Sequence, residues 1–226
     1  VDLLVINAGE LLTMAEGHLP RRGEEAKNLS VIREGAVAVR DGKIEAVGNT
    51  SELCSRYKAH QTIDAEHGLV TPGLVDPHTH VVFAGTREEE FQLRVQGRKY
   101  MEIAAAGGGI KSSVNMFRQA SDEEIYEQSL ERVKRFVLSG ATTLEVKSGY
   151  GLSLEDELKA LRIVKKLNEE TSVDFAATFL GAHEIPEEYK ERKQDYIDLV
   201  INQMLPAVAK EGLAEFCDVF CEEGVY

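Results

Sequence analysis

The first part of the chain combines short apolar runs with turn residues, a pattern that predicts β-strands. The apolar runs cover residues 3–6, 36–40 and 43–47. Asp41 and Gly42 separate the second run from the third, and Asp-Gly is typical of a two-residue hairpin because both turn positions need positive φ. Residues 16–28 are polar and predict an exposed loop. We therefore expect residues 1–70 to form a small β domain.

From residue 71 onward the pattern changes to strands that alternate with helices. The predicted strands are residues 73–80, 141–146, 173–180 and 217–221. The predicted helices are residues 122–138, 153–169 and 195–210. Ser121 and Glu124 have the spacing of a capping box at the start of the first of these helices. Alternating strands and helices predict a parallel sheet.

The number of strands suggests an incomplete barrel. A closed (β/α)₈ barrel takes about 250 residues and eight strands, whereas we predict four strands in residues 71–226. The sequence stops soon after the fourth strand, before a helix could cover it. We therefore expect residues 71–226 to be the first half of a barrel in a longer protein. The alternative is a complete open α/β sheet.

The composition excludes several classes of partner. The chain has 26 Lys and Arg against 39 Asp and Glu, a net charge of −13, which argues against binding to nucleic acid or to anionic membranes. It shows neither a membrane-spanning run nor a signal peptide. Cys54, Cys217 and Cys221 make no disulfide framework, and we expect them to be buried thiols. These features predict a cytoplasmic protein.

Two histidines at the end of a predicted strand are candidate metal ligands. His78 and His80 share one face of the strand, with Cβ atoms about 6.5 Å apart, so both imidazoles can converge on one cation. The carboxyl end of a barrel strand is where active sites form. His183 ends the third barrel strand and could be a third ligand, a proton carrier or a substrate contact. The other histidines lie in polar contexts and are expected to be solvated: His18, His60 and His67.

Segments along the whole chain resemble a known family. Residues 71–80, TPGLVDPHTH, resemble the strand that follows a small β domain in the amidohydrolase superfamily. Six further segments resemble one family within that superfamily, the imidazolonepropionases. They are VFAGTR (82–87), YMEI (100–103), AGGGI (106–110), EVKSGYGL (145–152), GAHE (181–184) and DVFCE (218–222). The implied fold is α/β, an amidohydrolase-type (β/α)₈ TIM barrel with about its first four strands present, plus a small N-terminal β-sandwich domain.

The resemblance implies hydrolysis of 4-imidazolone-5-propanoate to N-formimidoyl-L-glutamate in histidine degradation. One divalent or trivalent metal ion, zinc or iron, would activate the attacking water. The implied metal ligands and substrate-binding residues are, respectively, His78 and His80, and Arg87, Tyr100, Tyr150 and His183. The catalytic glutamate and aspartate are expected beyond Tyr226. The implied partners are a small anionic imidazolone substrate and a second copy in a homodimer, with no nucleic acid and no membrane.

Two alternatives stay open at this stage. Another cyclic-amide or amidine amidohydrolase, hydantoinase-like or deaminase-like, would share the strand with His78 and His80. A non-catalytic scaffold of the same fold would typically have lost such ligands. Dinuclear relatives use a carbamylated strand lysine, but Lys147 ends the second barrel strand rather than the fourth. We therefore expect Lys147 to be structural.

Overall fold

The structure is a computed structural model that describes residues 1–17, 20–99, 102–103 and 107–222. The chain divides into two compact units, Val1–Pro72 and Gly73–Tyr226. Each unit is built on its own sheet, five-stranded in the first and four-stranded in the second.

The first unit is a mixed sheet with one short helix. Its strands are β1 Leu3–Leu12, β2 Val31–Arg40, β3 Lys43–Asn49, β4 Gln61–Asp64 and β5 Leu69–Val70. Helix α1 is Thr50–Arg56, and a 3₁₀ turn covers Gly23–Lys27. The sheet has the order β3-β2-β1-β4, and β5 also pairs with β1. Within the described residues this is a single sheet, so the β-sandwich stays a prediction.

The predicted hairpin in this sheet is confirmed, but the predicted end of the first strand is wrong. Asp41 and Gly42 have φ values of 51° and 71°, as a type I′ turn requires, and Arg40 pairs with Lys43. We expected the first strand to end at residue 6, whereas β1 continues to Leu12. Asn7 has a φ of 56° and lies at an irregularity in the pairing of β1 with β2. This polar residue is therefore part of a bulge inside the strand and not of a turn that ends it.

The second unit is an all-parallel sheet with helices between its strands. The strands are β6 Leu74–Thr79, β7 Ala141–Lys147, β8 Asp174–Ala182 and β9 Phe216–Val219, in this spatial order. The helices are α2 Glu88–Val95, α3 Ile110–Gln119, α4 Asp122–Leu138, α5 Leu154–Glu170, α6 Lys193–Leu199 and α7 Leu205–Glu211. Because consecutive strands are neighbours and run parallel, this arrangement fits part of a (β/α)₈ barrel.

The helix starts follow from local sequence. The Ser121 side chain accepts from the Glu124 N–H, and the Glu124 carboxylate accepts from the Ser121 N–H, so the capping box is confirmed.

The helix expected over 195–210 is interrupted by a π segment, Val200–Met204, between α6 and α7. Pro206 lies in the first turn of α7 and has no N–H to donate, which accounts for a change of hydrogen-bond pattern just before it.

The prediction of buried thiols is wrong. Cys54, Cys217 and Cys221 are all exposed and free. Cys217 lies on β9, which pairs only with β8 among the described residues, and Cys221 follows the end of that strand. His60 and His67 are exposed as expected, whereas His18 lies outside the described residues. Of the helices in the described part of the chain, none has both the length and the apolar character to cross a bilayer.

Candidate active site

A cluster of rings lies at the carboxyl edge of the parallel sheet. His78 and His80 come from the end of β6, and their ring centroids are 5.9 Å apart. The His80 ring stacks on the His183 ring at 4.9 Å and lies 5.0 Å from the Tyr150 ring. The Phe220 ring, after β9, lies edge-on to the His183 ring, with the two centroids 6.3 Å apart. Parallel strands end at one edge, so residues far apart in sequence meet here.

The environment of His80 suits a metal ligand. Burial lowers the pKa of His80 to about 3, with further lowering by His183, His78 and Lys147, so the imidazole is neutral. Its Nδ1 is buried and has no hydrogen-bond partner among the described residues. A buried polar atom without a partner is costly, and a neutral imidazole nitrogen is a common metal ligand. His80 therefore fits part of a metal site, and His78, which is exposed, lies with its ring centroid 5.9 Å from that of His80.

The described residues do not complete that site. No group of three or more His, Cys, Asp or Glu side chains that could hold a metal ion occurs among them. A catalytic zinc site typically has three protein ligands and an open position. His78 and His80 alone therefore supply an incomplete set of ligands.

His183 is held in one orientation by the backbone of the loop after β7. Its Nδ1 lies 2.8 Å from the Gly149 carbonyl oxygen, which can only accept, so Nδ1 carries the proton and donates. Nε2 is then left as an acceptor. Burial lowers the pKa of His183, which keeps the ring neutral. Gly149 has φ of 107°, and a Cβ there would lie 2.8 Å from the His183 Cβ, so glycine is required.

A cavity of about 220 Å³ extends from Arg87 to Tyr150, one member of the ring cluster. Arg87 and Tyr150 both line it, together with Phe83, Thr86 and Ser113. The Arg87 guanidinium lies 3.9 Å from the Glu90 carboxylate and is partly exposed. Tyr150, whose ring centroid lies 5.0 Å from that of His80, is the residue that the cavity shares with the ring cluster. Tyr100, expected in the same pocket, lies outside the described residues.

Lys147, whose charge acts on His80, forms two ion pairs. Its Nζ donates to Glu145 Oε1 and to Asp218 Oδ2, each at 2.8 Å, and its side chain is only 9% exposed. Burial lowers the pKa of Lys147, but the hydrogen bonds to Asp218 and Glu145 outweigh this and raise it. The ammonium therefore stays charged, which agrees with the structural role expected for this residue.

Sequence reasoning missed a buried carboxylate behind the site. Glu157, on α5, is 0% exposed and accepts hydrogen bonds from the loop that carries Gly149 and Tyr150. Burial raises the pKa of this carboxyl, and the hydrogen bonds act in the opposite direction. A signal was available, because Glu157 precedes Leu161 and Val164 by four and seven residues, which places it on the apolar face of the helix.

Solved structures define the class of the fold. A 5-methylcytosine deaminase from Klebsiella pneumoniae superposes with a TM-score of 0.56 at 16% identity, over 97% of this chain and 51% of that protein. Guanine deaminase from E. coli superposes with a TM-score of 0.51 at 14% identity, over 94% of this chain and 44% of that one. The chain therefore has an amidohydrolase-type fold with a partial TIM barrel.

Sequence comparison identifies the family. A profile described as the imidazolonepropionase-like composite domain of bacteria matches residues 35–57. The imidazolonepropionase of Symbiobacterium thermophilum is 52% identical over 100% of this chain, and that of Brevibacillus brevis is 48% identical over 97%. The chain belongs to the imidazolonepropionase family along its whole length. It spans about half the length of these curated relatives, 54% and 53% respectively.

Proposed function

We propose that the chain is part of an enzyme that hydrolyses 4-imidazolone-5-propanoate to N-formimidoyl-L-glutamate in histidine degradation. The observation that carries this proposal is the meeting of His78, His80, Tyr150 and His183 at one edge of the sheet, in a chain that aligns with imidazolonepropionases throughout. In this proposal residues 1–70 are a small β domain and residues 71–226 are the first half of the barrel. We further propose a cytoplasmic homodimer.

His78 and His80 would hold one metal ion, zinc or iron. When bound, such an ion supplies Lewis acidity and lowers the pKa of its water ligand, so that hydroxide is available near neutral pH. The neutral state of His80 and its unpartnered Nδ1 support this role. The third metal histidine, the catalytic glutamate and the catalytic aspartate, which also binds the metal, would come from residues beyond Tyr226.

The other residues of the site would bind and orient the substrate. An imidazolone ring offers N–H donors, and the unprotonated Nε2 of His183 is an acceptor that could take one of them. The Tyr150 hydroxyl can hydrogen-bond the same ring. Arg87 would bind the propionate carboxylate, a task for which a planar, permanently charged guanidinium is well suited. The cavity that Arg87 and Tyr150 share supports this division of roles.

A hydantoinase-like or deaminase-like activity is the nearest alternative, and Arg87 separates the two. We expect Arg87→Ala in the full polypeptide to raise KM for 4-imidazolone-5-propanoate by about 10–100-fold, since a hydrogen bond to a charged group contributes about 1.5–3 kcal/mol. The change in kcat should be small. Steady-state kinetics with this substrate, and with a neutral cyclic amide for comparison, provide the measurement.

Arg94→Ala is the matched control, because Arg94 is an exposed arginine on α2, near Arg87 in sequence. It should leave both constants unchanged. An unchanged KM in Arg87→Ala would exclude Arg87 as the carboxylate-binding residue. Failure of the native protein to hydrolyse the substrate would overturn the proposed function itself.

A further inference from the structure

The backbone of the loop after β7 is bound to one buried carboxylate. Glu157 Oε1 accepts from the N–H groups of Gly151 at 2.9 Å and Leu152 at 2.8 Å. Its Oε2 accepts from the Gly149 N–H at 3.1 Å. Both oxygens therefore act as acceptors for the same short loop. These hydrogen bonds favour the ionised form of the carboxyl and oppose the effect of burial on its pKa.

Arg118, on α3, binds the other side of this loop. Its Nε donates to the Gly151 carbonyl at 2.8 Å, and its Nη2 donates to the Leu152 carbonyl at 2.9 Å. The loop between Gly149 and Leu152 thus lies between a carboxylate that accepts from its N–H groups and a guanidinium that donates to its carbonyls. Two helices fix the backbone on either side of Tyr150.

One residue connects this anchor to the ring cluster. Gly149 donates its N–H to Glu157 and accepts the Nδ1–H of His183 with its carbonyl oxygen. Gly149 is in a backbone conformation that only glycine adopts easily, and its position is tight against His183. A rotation of Gly149 would move its carbonyl away from Nδ1. The hydrogen bond that the Gly149 N–H donates to Glu157 opposes that rotation.

We propose that Glu157 is a positioning residue, which fixes the Gly149 carbonyl and thereby the tautomer and orientation of His183. With Nδ1 protonated, Nε2 remains available to the substrate. The catalytic consequence rests on the proposed function, whereas the effect on His183 does not.

Glu157→Gln tests this with little change of volume. Glutamine keeps one oxygen, which can still accept from Gly151 and Leu152. Its NH₂ group then faces the Gly149 N–H, donor against donor, so the bond that restrains Gly149 is lost. Glu155→Gln is the matched control, the same chemical change at an exposed position on the same helix.

The measurement is NMR of the imidazole nitrogens in the full polypeptide labelled with ¹⁵N-histidine, with His183 assigned by its loss in His183→Gln. The native protein and Glu155→Gln should show His183 as the single Nδ1–H tautomer. Glu157→Gln should show a mixture of the two tautomers. It should also lower kcat/KM by roughly 10–100-fold, since small misplacements of reacting groups have effects of this size.

A folded Glu157→Gln that keeps the single Nδ1–H tautomer would overturn the proposal. If circular dichroism shows that this variant does not fold, Glu157→Asp replaces it, because it keeps the charge but is one methylene too short to reach the whole loop. A single tautomer in that variant would be equally decisive against the proposal. A native protein that does not turn over the substrate would refute the proposed function and leave the tautomer result valid.

Discussion

At the scale of single residues, His80 and His67 show how the surroundings of a histidine decide its chemistry. His80 is partly buried among other rings and near Lys147, so its pKa falls to about 3 and one of its ring nitrogens carries no proton near neutral pH. His67 is exposed and lies 3.4 Å from Glu34 in the other unit. The same residue type thus has two roles, and its surroundings decide which one it takes.

Metal content provides a direct test at this scale. We expect His80→Ala in the full polypeptide to lose its metal, because a catalytic site usually has only three protein ligands and removing one leaves too few. The native protein should contain about one ion per chain, and the variant far less, measured by elemental analysis after gel filtration.

His67→Ala serves as the control, since it removes an exposed histidine. It should keep the native metal content. Stoichiometric metal in His80→Ala would show that His80 is not a ligand. A native protein that binds no metal would favour the non-catalytic scaffold.

At the scale of strands, Lys147 connects three members of the sheet. Lys147 pairs with Thr178 in the register of β7 with β8, and its ammonium reaches Asp218 on β9. The Thr178 hydroxyl donates to Glu145, the other partner of Lys147. The carboxyl ends of the strands are therefore joined by side chains as well as by the backbone ladder. This fixes the spacing of the edge on which the histidines lie.

The pair formed by Lys147 and Asp218 should give a pH-dependent contribution to stability. The hydrogen bond from Lys147 lowers the pKa of Asp218 below its ordinary value of 3.8. The folded protein therefore gives up this proton more readily than the unfolded chain does. The contribution is present above about pH 3.8 and is lost as pH falls through the lowered pKa.

We expect Asp218→Asn to lower the free energy of unfolding at pH 7 by about 1 kcal/mol or less, because the Asp218 side chain is 49% exposed. The difference from the native protein should shrink as pH falls below 3.8. Urea unfolding of the full polypeptide across this range measures it. Asp174→Asn, at an exposed position at the start of β8, is the control. A difference that does not change with pH would contradict this account.

The elements that were predictable from sequence are those that local chemistry decides. The Asp41-Gly42 turn and the Ser121–Glu124 capping box depend on adjacent residues, and both were confirmed. The continuation of β1 beyond Asn7 depends on pairing with β2 and β5, which the sequence of β1 does not contain. Glu157 was missed for a related reason, because its partners lie in a loop that only the fold brings to the helix.

At the scale of the whole molecule, the second unit presents apolar side chains on both edge strands of its sheet. On β6, Leu74 is 56% and Val75 is 62% exposed, and on β9, Phe216 is 59% and Val219 is 63% exposed. Large apolar side chains exposed together indicate surfaces that further structure covers. A closed barrel would give each of these strands a second neighbour and bury them.

The intact mass of the native polypeptide tests whether these strands belong to a closed barrel, and it tests the proposed function as well. We expect a mass well above 25.0 kDa, since a complete barrel requires about 250 residues and the curated relatives are about twice as long as this chain. Mass spectrometry of the protein purified from its source makes the measurement. A natural product of 25.0 kDa would leave His78 and His80 without further ligands from the same chain. The proposed hydrolase function would then be replaced by that of an inactive fragment or a non-catalytic scaffold.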